Sequence, residues 1–147
     1  MSEPEGDKFL SPVEAEVLAV NEAFYRAFAE RDLGALDALW ARRAAIACVH
    51  PGWEPLRGRG EVMASWRAIL GGTSVPKIAC SSATASVLGD TALVLCMEAI
   101  EGEELIATNV FTREDDAWKL VHHHAGPVAR RTSRESMPRR PKRGPLN

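Results

Sequence analysis

The sequence lacks the short motifs that mark the commonest catalytic, cofactor and metal sites. It contains no glycine-rich phosphate loop and no GxSxG nucleophile elbow. Its three cysteines, Cys48, Cys80 and Cys96, are widely spaced and form no CxxC pair. This pattern indicates neither a zinc site nor a disulfide framework, and it is typical of free thiols in a reducing cytoplasm. We therefore expect a cytoplasmic protein that uses no cofactor.

Long apolar runs are also missing. The longest, such as Ala92–Met97, is much shorter than the roughly 20 residues that span a bilayer. The N-terminal stretch MSEPEGDKF is acidic and polar, and no basic segment followed by an apolar run is present. We expect neither a membrane span nor a secretory signal.

Charge is distributed unevenly along the 147 residues. The formal net charge is −2, but residues 130–147 hold seven basic residues and a single acidic one, Glu135. This proline-containing segment has too few apolar residues to offset its ordering entropy. We expect a flexible N-terminus at 1–10, one domain at 11–129 and a disordered basic tail at 130–147. Nucleic-acid binding by the tail is a weaker alternative, and we do not expect it.

Helical periodicity predicts three helices in the first half of the chain. The first begins with the capping box Ser11–Glu14, which has proline at the first helical position. Its apolar residues recur at spacings of three and four, as one buried stripe of a helix requires. The predicted helices cover Pro12 to about Arg31, Leu33–Ala41 and Glu61–Leu70.

The second half of the chain has the composition and turn spacing of β-strands. After a short strand at Ala44–His50, four strands joined by tight turns are predicted at Lys77–Leu88, Thr91–Ile100, Leu105–Thr112 and Ala117–Ala125. The order helix, helix, strand, helix and four strands predicts an α+β domain. Its three helices should pack on one face of a curved antiparallel sheet.

The hairpin of the last two strands carries residues that suggest a pocket wall. With a four-residue turn at Arg113–Asp116, Phe111 would pair with Trp118 and Asn109 with Leu120. This register places an amide among large apolar side chains on one face. A slip of one residue would move every side chain to the opposite face.

Three consecutive histidines follow on the second strand of this hairpin. Alternation places His122 and His124 on the face of Asn109, whereas His123 should lie at an interface or on the surface. Two imidazoles and an amide at the end of an apolar face predict hydrogen bonding and proton transfer in a pocket. With His50, the two imidazoles could also hold zinc, but no carboxylate has a supporting spacing. No metal site is therefore predicted.

Three groups of residues resemble a known family. They are FYRAF at 24–28 with the RDL and LW that follow it, VHPG at 49–52, and TNVF at 108–111 with WKLVHHHA at 118–125. Together they resemble the SnoaL-like branch of the nuclear transport factor 2-like superfamily, which shares its fold with ketosteroid isomerases. The last group also looks like the closing strands of the calmodulin-dependent kinase association domain. The resemblance covers about Val13–Val128. It implies a cone-shaped α+β barrel, in which the sheet wraps around an apolar pocket, often in a homodimer.

The resemblance also implies roles for single residues. Ketosteroid isomerases place an aspartate base after the first strand, where this sequence has His50. Their oxyanion donor, a tyrosine on the first helix, is similar in position to Tyr25. Glu98 is the nearest candidate for their second donor, a neutral carboxylic acid. The plainer alternatives are a strand-end His50 bonded to the loop backbone and a core Tyr25 with a satisfied hydroxyl.

We predict a protein that binds a small hydrophobic or organic-acid ligand in an apolar pocket. Proton transfer by His50, His122 or His124, with Tyr25 assisting, would suit an isomerase, cyclase or dehydratase. The residues expected to contact the ligand are Asn109, Trp53, Phe111, Trp118 and Arg57. The alternative is a non-catalytic module for ligand binding or dimerisation.

A homodimer through the sheet is expected for a physical reason. The face that carries Ile106, Thr108, Val110 and Val121 is too apolar to remain in contact with water. A monomer in light scattering at micromolar concentration would contradict this expectation.

Overall fold

A computed structural model describes residues 9–129 of the chain. The remaining residues, 1–8 and 130–147, include most of the predicted flexible N-terminus and the basic tail, so both expectations lie outside the described residues. The helices and strands are α1 (Pro12–Ala29), α2 (Leu33–Leu39), β1 (Ala47–Val49), β2 (Leu56–Arg57), α3 (Gly58–Leu70), β3 (Ile78–Leu88), β4 (Thr91–Ile100), β5 (Glu103–Glu114) and β6 (Ala117–Pro127). No helix between residues 9 and 129 has the length and apolar character to cross a membrane.

The strands form one sheet in the order β2-β1-β6-β5-β4-β3. Strands β3 to β6 pair antiparallel as consecutive hairpins, as predicted. Strand β1 pairs parallel with β6, which the sequence analysis did not foresee. This parallel pairing places the end of β1 beside the three histidines of β6.

The helices bury their apolar faces against the inner face of the sheet. Helix α1 begins as predicted, because the Ser11 hydroxyl accepts the Glu14 N–H at 3.1 Å. Phe24 of α1, Trp40 after α2 and Phe111 of β5 are almost completely buried in one apolar core. Burial of each such side chain stabilises the fold by about 2–3 kcal/mol.

The β5–β6 hairpin has a two-residue turn, so the predicted four-residue turn is wrong. Asp115 and Asp116 have φ values of 52° and 63°, as both central residues of a type I′ turn do. Glu114 is paired with Ala117 and belongs to the strand. Its carboxylate accepts three backbone N–H groups from residues 42–44, at 2.8 to 3.0 Å. These three hydrogen bonds connect the hairpin to the segment between α2 and β1.

A β-bulge interrupts the ladder a few residues further along β6. Phe111 pairs with Leu120 and Val110 pairs with His122, which leaves Val121 as the extra residue. The inward and outward positions of β6 are therefore exchanged beyond this point.

The bulge reverses the predicted orientation of the histidines. His123 is buried on the inner face of the sheet, with 4% of its surface exposed. His122 is half-buried and His124 is exposed, both on the outer face. The prediction that His122 and His124 face the pocket is wrong, and so is the prediction that His123 lies at the surface.

Candidate functional site

A cleft of about 450 Å³ opens between α3 and the inner face of the sheet. Its walls are mostly apolar, and three titratable side chains reach them. Part of the lining consists of Phe28, Trp53, Trp66, His50, Glu98 and His123. No lysine or arginine of the described chain lines this cleft.

His50 lies directly after β1 and is held by α3. Its Nε2 is 2.8 Å from the Ser65 hydroxyl, which donates to the Val62 carbonyl at 2.7 Å. Because the hydroxyl proton is used there, Nε2 must carry hydrogen, and Nδ1 keeps an electron pair 3.9 Å from the Cys48 sulfur. The ring packs edge-on against Trp66 and Trp53, at centroid distances of 4.6 and 4.8 Å. Burial lowers the pKa of His50 to about 4, so the imidazole is neutral at pH 7.

His123 is held by an amide behind the cleft. Its Nδ1 is 2.6 Å from Asn109 Oδ1. Asn109 Nδ2 donates to Asn21 at 2.8 Å and to the Tyr25 hydroxyl at 3.2 Å, so the Asn109 oxygen is the acceptor. His123 must then carry its hydrogen on Nδ1 and keep Nε2 unprotonated. Burial, and next the neighbouring His50, lower the pKa of His123 to about 3.

Glu98 is the carboxyl group of the cleft. It lies on the inner face of β4 with 2% of its surface exposed, and it accepts a hydrogen bond from the Tyr25 hydroxyl at 2.5 Å. Burial raises the pKa of Glu98, although the bond from Tyr25 acts in the opposite direction. Burial and the nearby carboxylate also raise the pKa of Tyr25, which therefore stays a donor. A raised pKa favours the protonated carboxylic acid.

The structure brings four of the predicted site residues together. His50 and Trp53 line the cleft, and Trp53 is 47% exposed at its edge. Tyr25 and Asn109 are buried behind the cleft and hold its titratable groups. The alternative for His50 was a bond to the loop backbone, which its carbonyl makes with the Trp53 N–H at 2.9 Å, whereas its ring bonds Ser65.

The other predicted site residues lie elsewhere. Phe111 and Trp118 are buried in the apolar core. Arg57 is exposed and lines a separate groove with His122. His124 lies beside His122 on the outer face, with the ring centroids 6.2 Å apart.

Sequence reasoning missed two of the residues that form this site. It placed His123 outside the pocket, and it gave Ser65 no role. The turn length would not have revealed His123, because a change of two residues in register keeps every side chain on its face, and only the bulge at Val121 turns His123 inward. For Ser65 the signal is weak, since a serine within a helix usually has only a local role. Across residues 9–129, no group of three or more metal-ligating side chains is arranged as a metal site.

The comparisons with solved structures agree with this architecture. A candidate dehydratase of the nuclear transport factor 2-like family from Streptomyces avermitilis is 39% identical, with a TM-score of 0.73 over 79% of this chain and 96% of that chain. A candidate calcium/calmodulin-dependent protein kinase type II association domain from Thiobacillus denitrificans is 33% identical, with a TM-score of 0.67 over 86% and 99% of the two chains. These similarities confirm the predicted α+β cone, a curved sheet wrapped around three helices.

The comparisons by sequence also identify the family. F-box protein SKIP8 of Arabidopsis thaliana is 29% identical over 112 residues, which are 74% of this chain and 48% of that protein. The chain thus spans about half the length of this curated relative. The model of the SnoaL-like domain matches residues 17–130, which is most of the chain. The protein therefore belongs to the SnoaL-like family of the nuclear transport factor 2-like superfamily.

Proposed function

We propose that the protein binds an uncharged, mostly apolar carbonyl compound in the cleft and moves a proton on it. One observation carries this proposal: neutral imidazoles and a buried carboxyl group line the same apolar cleft. Titratable groups whose environments alter their pKa values in one cleft are typical of acid–base sites.

The proposed base is the unprotonated nitrogen of His123 or of His50. Burial gives both imidazoles pKa values in the range of a carboxylic acid. Such a weak base needs a carbon acid that is already activated, such as the C–H next to a carbonyl group. Glu98, held by Tyr25, would donate its proton or a hydrogen bond to the oxygen on which negative charge develops.

This arrangement suits either isomerisation or the loss of water from a β-hydroxy carbonyl compound. In the second reaction, the base takes the α proton and the Glu98 carboxylic acid protonates the departing hydroxyl group. The 39% identity to a candidate dehydratase supports the second reaction.

The charge of the cleft favours a neutral ligand over an organic acid. Both cleft histidines are neutral at pH 7, and no lysine or arginine among the described residues lines the cleft. A bound carboxylate would lose its hydration without gaining a counterion, which costs several kcal/mol. Of the two predicted ligand classes, we therefore propose the hydrophobic one.

A proton-exchange experiment tests this function. Small β-hydroxy ketones and their enone products, incubated with the protein in D₂O, should incorporate deuterium at the α carbon, detected by NMR. Glu98→Gln should slow the exchange by about 100-fold or more, since positioned acids contribute about 10²–10⁴ to a rate. Glu98→Gln should still bind the ketone, with quenching of Trp53 or Trp66 fluorescence as the readout.

His124→Gln is the matched control, because His124 is exposed on the outer face and should leave the exchange rate unchanged. Ketone binding without any exchange in the unaltered protein would instead support the non-catalytic ligand-binding module. Tighter binding of the corresponding carboxylic acids would contradict the charge argument.

We also propose that the protein is a homodimer through the outer face of its sheet. The outward side chains of β4 and β5 form a mostly apolar patch, in which Leu93, Leu95, Met97, Ile106 and Val110 surround Thr108. Leu95 and Ile106 are 42% and 47% exposed, and large exposed apolar patches mark interaction surfaces. Similarity to a candidate kinase association domain supports oligomerisation.

Leu95→Glu is expected to convert the dimer to a monomer, because the interface would bury an unpaired carboxylate. Light scattering during gel filtration should show a fall from twice the chain mass of 16.0 kDa to that mass. Leu88→Glu is the control, since Leu88 is 74% exposed at the end of β3, outside the patch. A monomeric unaltered protein at micromolar concentration would overturn the proposal.

A further inference from the structure

A second cleft, of about 490 Å³, lies between α1 and β3. Its lining includes Asn21, Tyr25, Arg26, Cys80, Ser81 and Ser82. Tyr25 connects it with the first cleft, because its hydroxyl bonds Glu98 there. The proposed acid–base function makes no use of this second cleft.

Two cysteines of neighbouring strands pack in one cluster at this cleft. Cys80 of β3 pairs with Glu98 of β4, so Cys96, two residues before Glu98 on the same face, is its diagonal neighbour. Asn21 Nδ2 is 3.9 Å from the Cys80 sulfur, and the Tyr25 hydroxyl is 3.3 Å from the Cys96 sulfur. Cys80 is partly exposed to the cleft, whereas Cys96 is buried.

The strand that carries Cys80 is irregular directly after this residue. The β3–β4 ladder shifts register between Ser81 and Thr84, and Ser82 has a φ of 53°. A bulge of this kind interrupts the ladder and allows the strand to bend locally. This bend lies beside Cys80, at the place where the two strands would have to reach the short Cα separation that a disulfide needs.

The surroundings also favour loss of a thiol proton from this pair. A hydrogen bond from the Cys80 thiol lowers the pKa of Cys96 to about 7, although burial opposes it, and the same bond raises the pKa of Cys80. Cys48 differs, because burial raises its pKa to about 12. Since the thiolate is the reactive form, the pair and not Cys48 should react with electrophiles.

We propose that Cys80 and Cys96 form an oxidation site, where a hydroperoxide entering the second cleft converts the two thiols to a disulfide. The thiolate of the pair attacks one peroxide oxygen, the O–O bond breaks, and the departing oxygen takes the proton of the other thiol. The resulting sulfenic acid is attacked by the second sulfur, and its S–O bond breaks. The hydroxide that leaves takes a proton from solvent, so hydrogen peroxide yields one disulfide and two waters.

Oxidation would also change the hydrogen bonding of Tyr25. In the reduced protein the Tyr25 hydroxyl donates to Glu98 and lies 3.3 Å from the Cys96 sulfur. A disulfide has no thiol proton, so Cys96 could no longer donate to the Tyr25 oxygen. The oxidation itself does not depend on the proposed acid–base function, and its test uses no activity measurement.

Mass spectrometry of the full chain tests the proposal. Reduced protein treated with a small excess of hydrogen peroxide should lose about 2 Da, and peptide mapping should join Cys80 to Cys96. Cys48→Ser should form the same disulfide. Neither Cys80→Ser nor Cys96→Ser should form it, and in Cys96→Ser the partly exposed Cys80 should instead be labelled by dimedone, a reagent for sulfenic acid. Dithiothreitol should restore the original mass.

Three results would overturn the proposal. One is an unchanged mass, with all three thiols still alkylated by iodoacetamide after denaturation. The second is a disulfide that joins two chains, seen as a dimer on a non-reducing gel. The third is oxidation confined to Cys48. Circular dichroism of Cys80→Ser checks that this variant folds. Peptide mapping of the unaltered protein shows whether the Cys80–Cys96 disulfide forms, so the test does not depend on the variant.

Discussion

Replacement of Asn109 by leucine is expected to lower the free energy of unfolding by about 3–5 kcal/mol. Asn109 is fully buried, and its amide bonds Asn21, Tyr25 and His123. Leucine has a similar volume but leaves Asn21 Oδ1 and His123 Nδ1 without their partner, and Tyr25 keeps only its contacts with Glu98 and Cys96. Each buried group that loses its partner costs about 1–3 kcal/mol. The pKa of His123 should also change, because nothing would then fix its hydrogen on Nδ1.

Urea denaturation at neutral pH, followed by tryptophan fluorescence, measures this loss. Thr73→Val is the control, because Thr73 is exposed in the loop between α3 and β3. Its effect should stay within about 0.5 kcal/mol. Asn109→Asp keeps an acceptor for His123 but loses the donors to Asn21 and Tyr25. Its free energy of unfolding should therefore still be lower than that of the unaltered protein. A loss below about 1 kcal/mol for Asn109→Leu would show that other groups or water replace the amide.

Acidification from about pH 7 to about pH 4.5 is expected to destabilise the fold by about 2–4 kcal/mol. In the folded chain burial lowers the pKa of His50 to about 4 and that of His123 to about 3, whereas an unfolded histidine titrates near about 6.5. The unfolded chain therefore binds more protons between these values. The stability contributed by the two neutral imidazoles is complete above about pH 6.5 and is lost as the pH falls towards 4. Glu98 acts in the opposite sense, because burial raises its pKa, and it reduces the net loss.

Urea midpoints at three pH values between about 7 and 4.5 measure this effect. His50→Gln removes one of the two buried imidazoles, so the urea midpoint should change about half as much with pH. His124→Gln, on the exposed outer face, should leave the change of the urea midpoint with pH unaltered. NMR gives an independent check, because the buried ring protons should keep neutral-imidazole shifts at about pH 5.5. Titration of His123 above about pH 6 would contradict the prediction.

Much of the fold could be predicted because its signals are local. The capping box at Ser11 and the apolar periodicity after it define the start of α1, and the structure has the predicted cap. Strand β4 was predicted with its exact bounds, Thr91–Ile100, because turn residues flank a β-branched apolar run. The bonded partners of Tyr25 and His50 could not be read from the sequence, because they come from elements distant in the chain.

The register of the last hairpin could not be predicted, because long-range contacts help to fix it. The residues at the turn are all polar, so their pattern fits a loop of two residues or of four. In the structure Glu114 bonds the backbone of residues 42–44, which lie about 70 positions earlier in the chain. That bond holds Glu114 within the strand, and the bulge at Val121 then decides which imidazole faces inward.

The face of Glu98 was ambiguous for a related reason. Strand β4 is apolar on both sides, since its inner residues join the core and its outer residues form the patch described above. The alternation of apolar and polar residues along β4 therefore does not indicate which face of the sheet the Glu98 side chain lies on. The pairing of β4 with β3 and β5 turns Glu98 inward, towards Tyr25.

The position of β6 in the sheet has a consequence for how a newly synthesised chain folds. It is the last strand of the described residues, yet it lies between β1 and β5. On the ribosome, β1 and the helices around it emerge first and have no central strand to dock against. Until residues 117–127 leave the exit tunnel, β5 presents an open edge that can pair with other chains. His50 and His123 meet only at this final step, so a nascent chain stalled before β6 would need protection by a chaperone and would have no cleft.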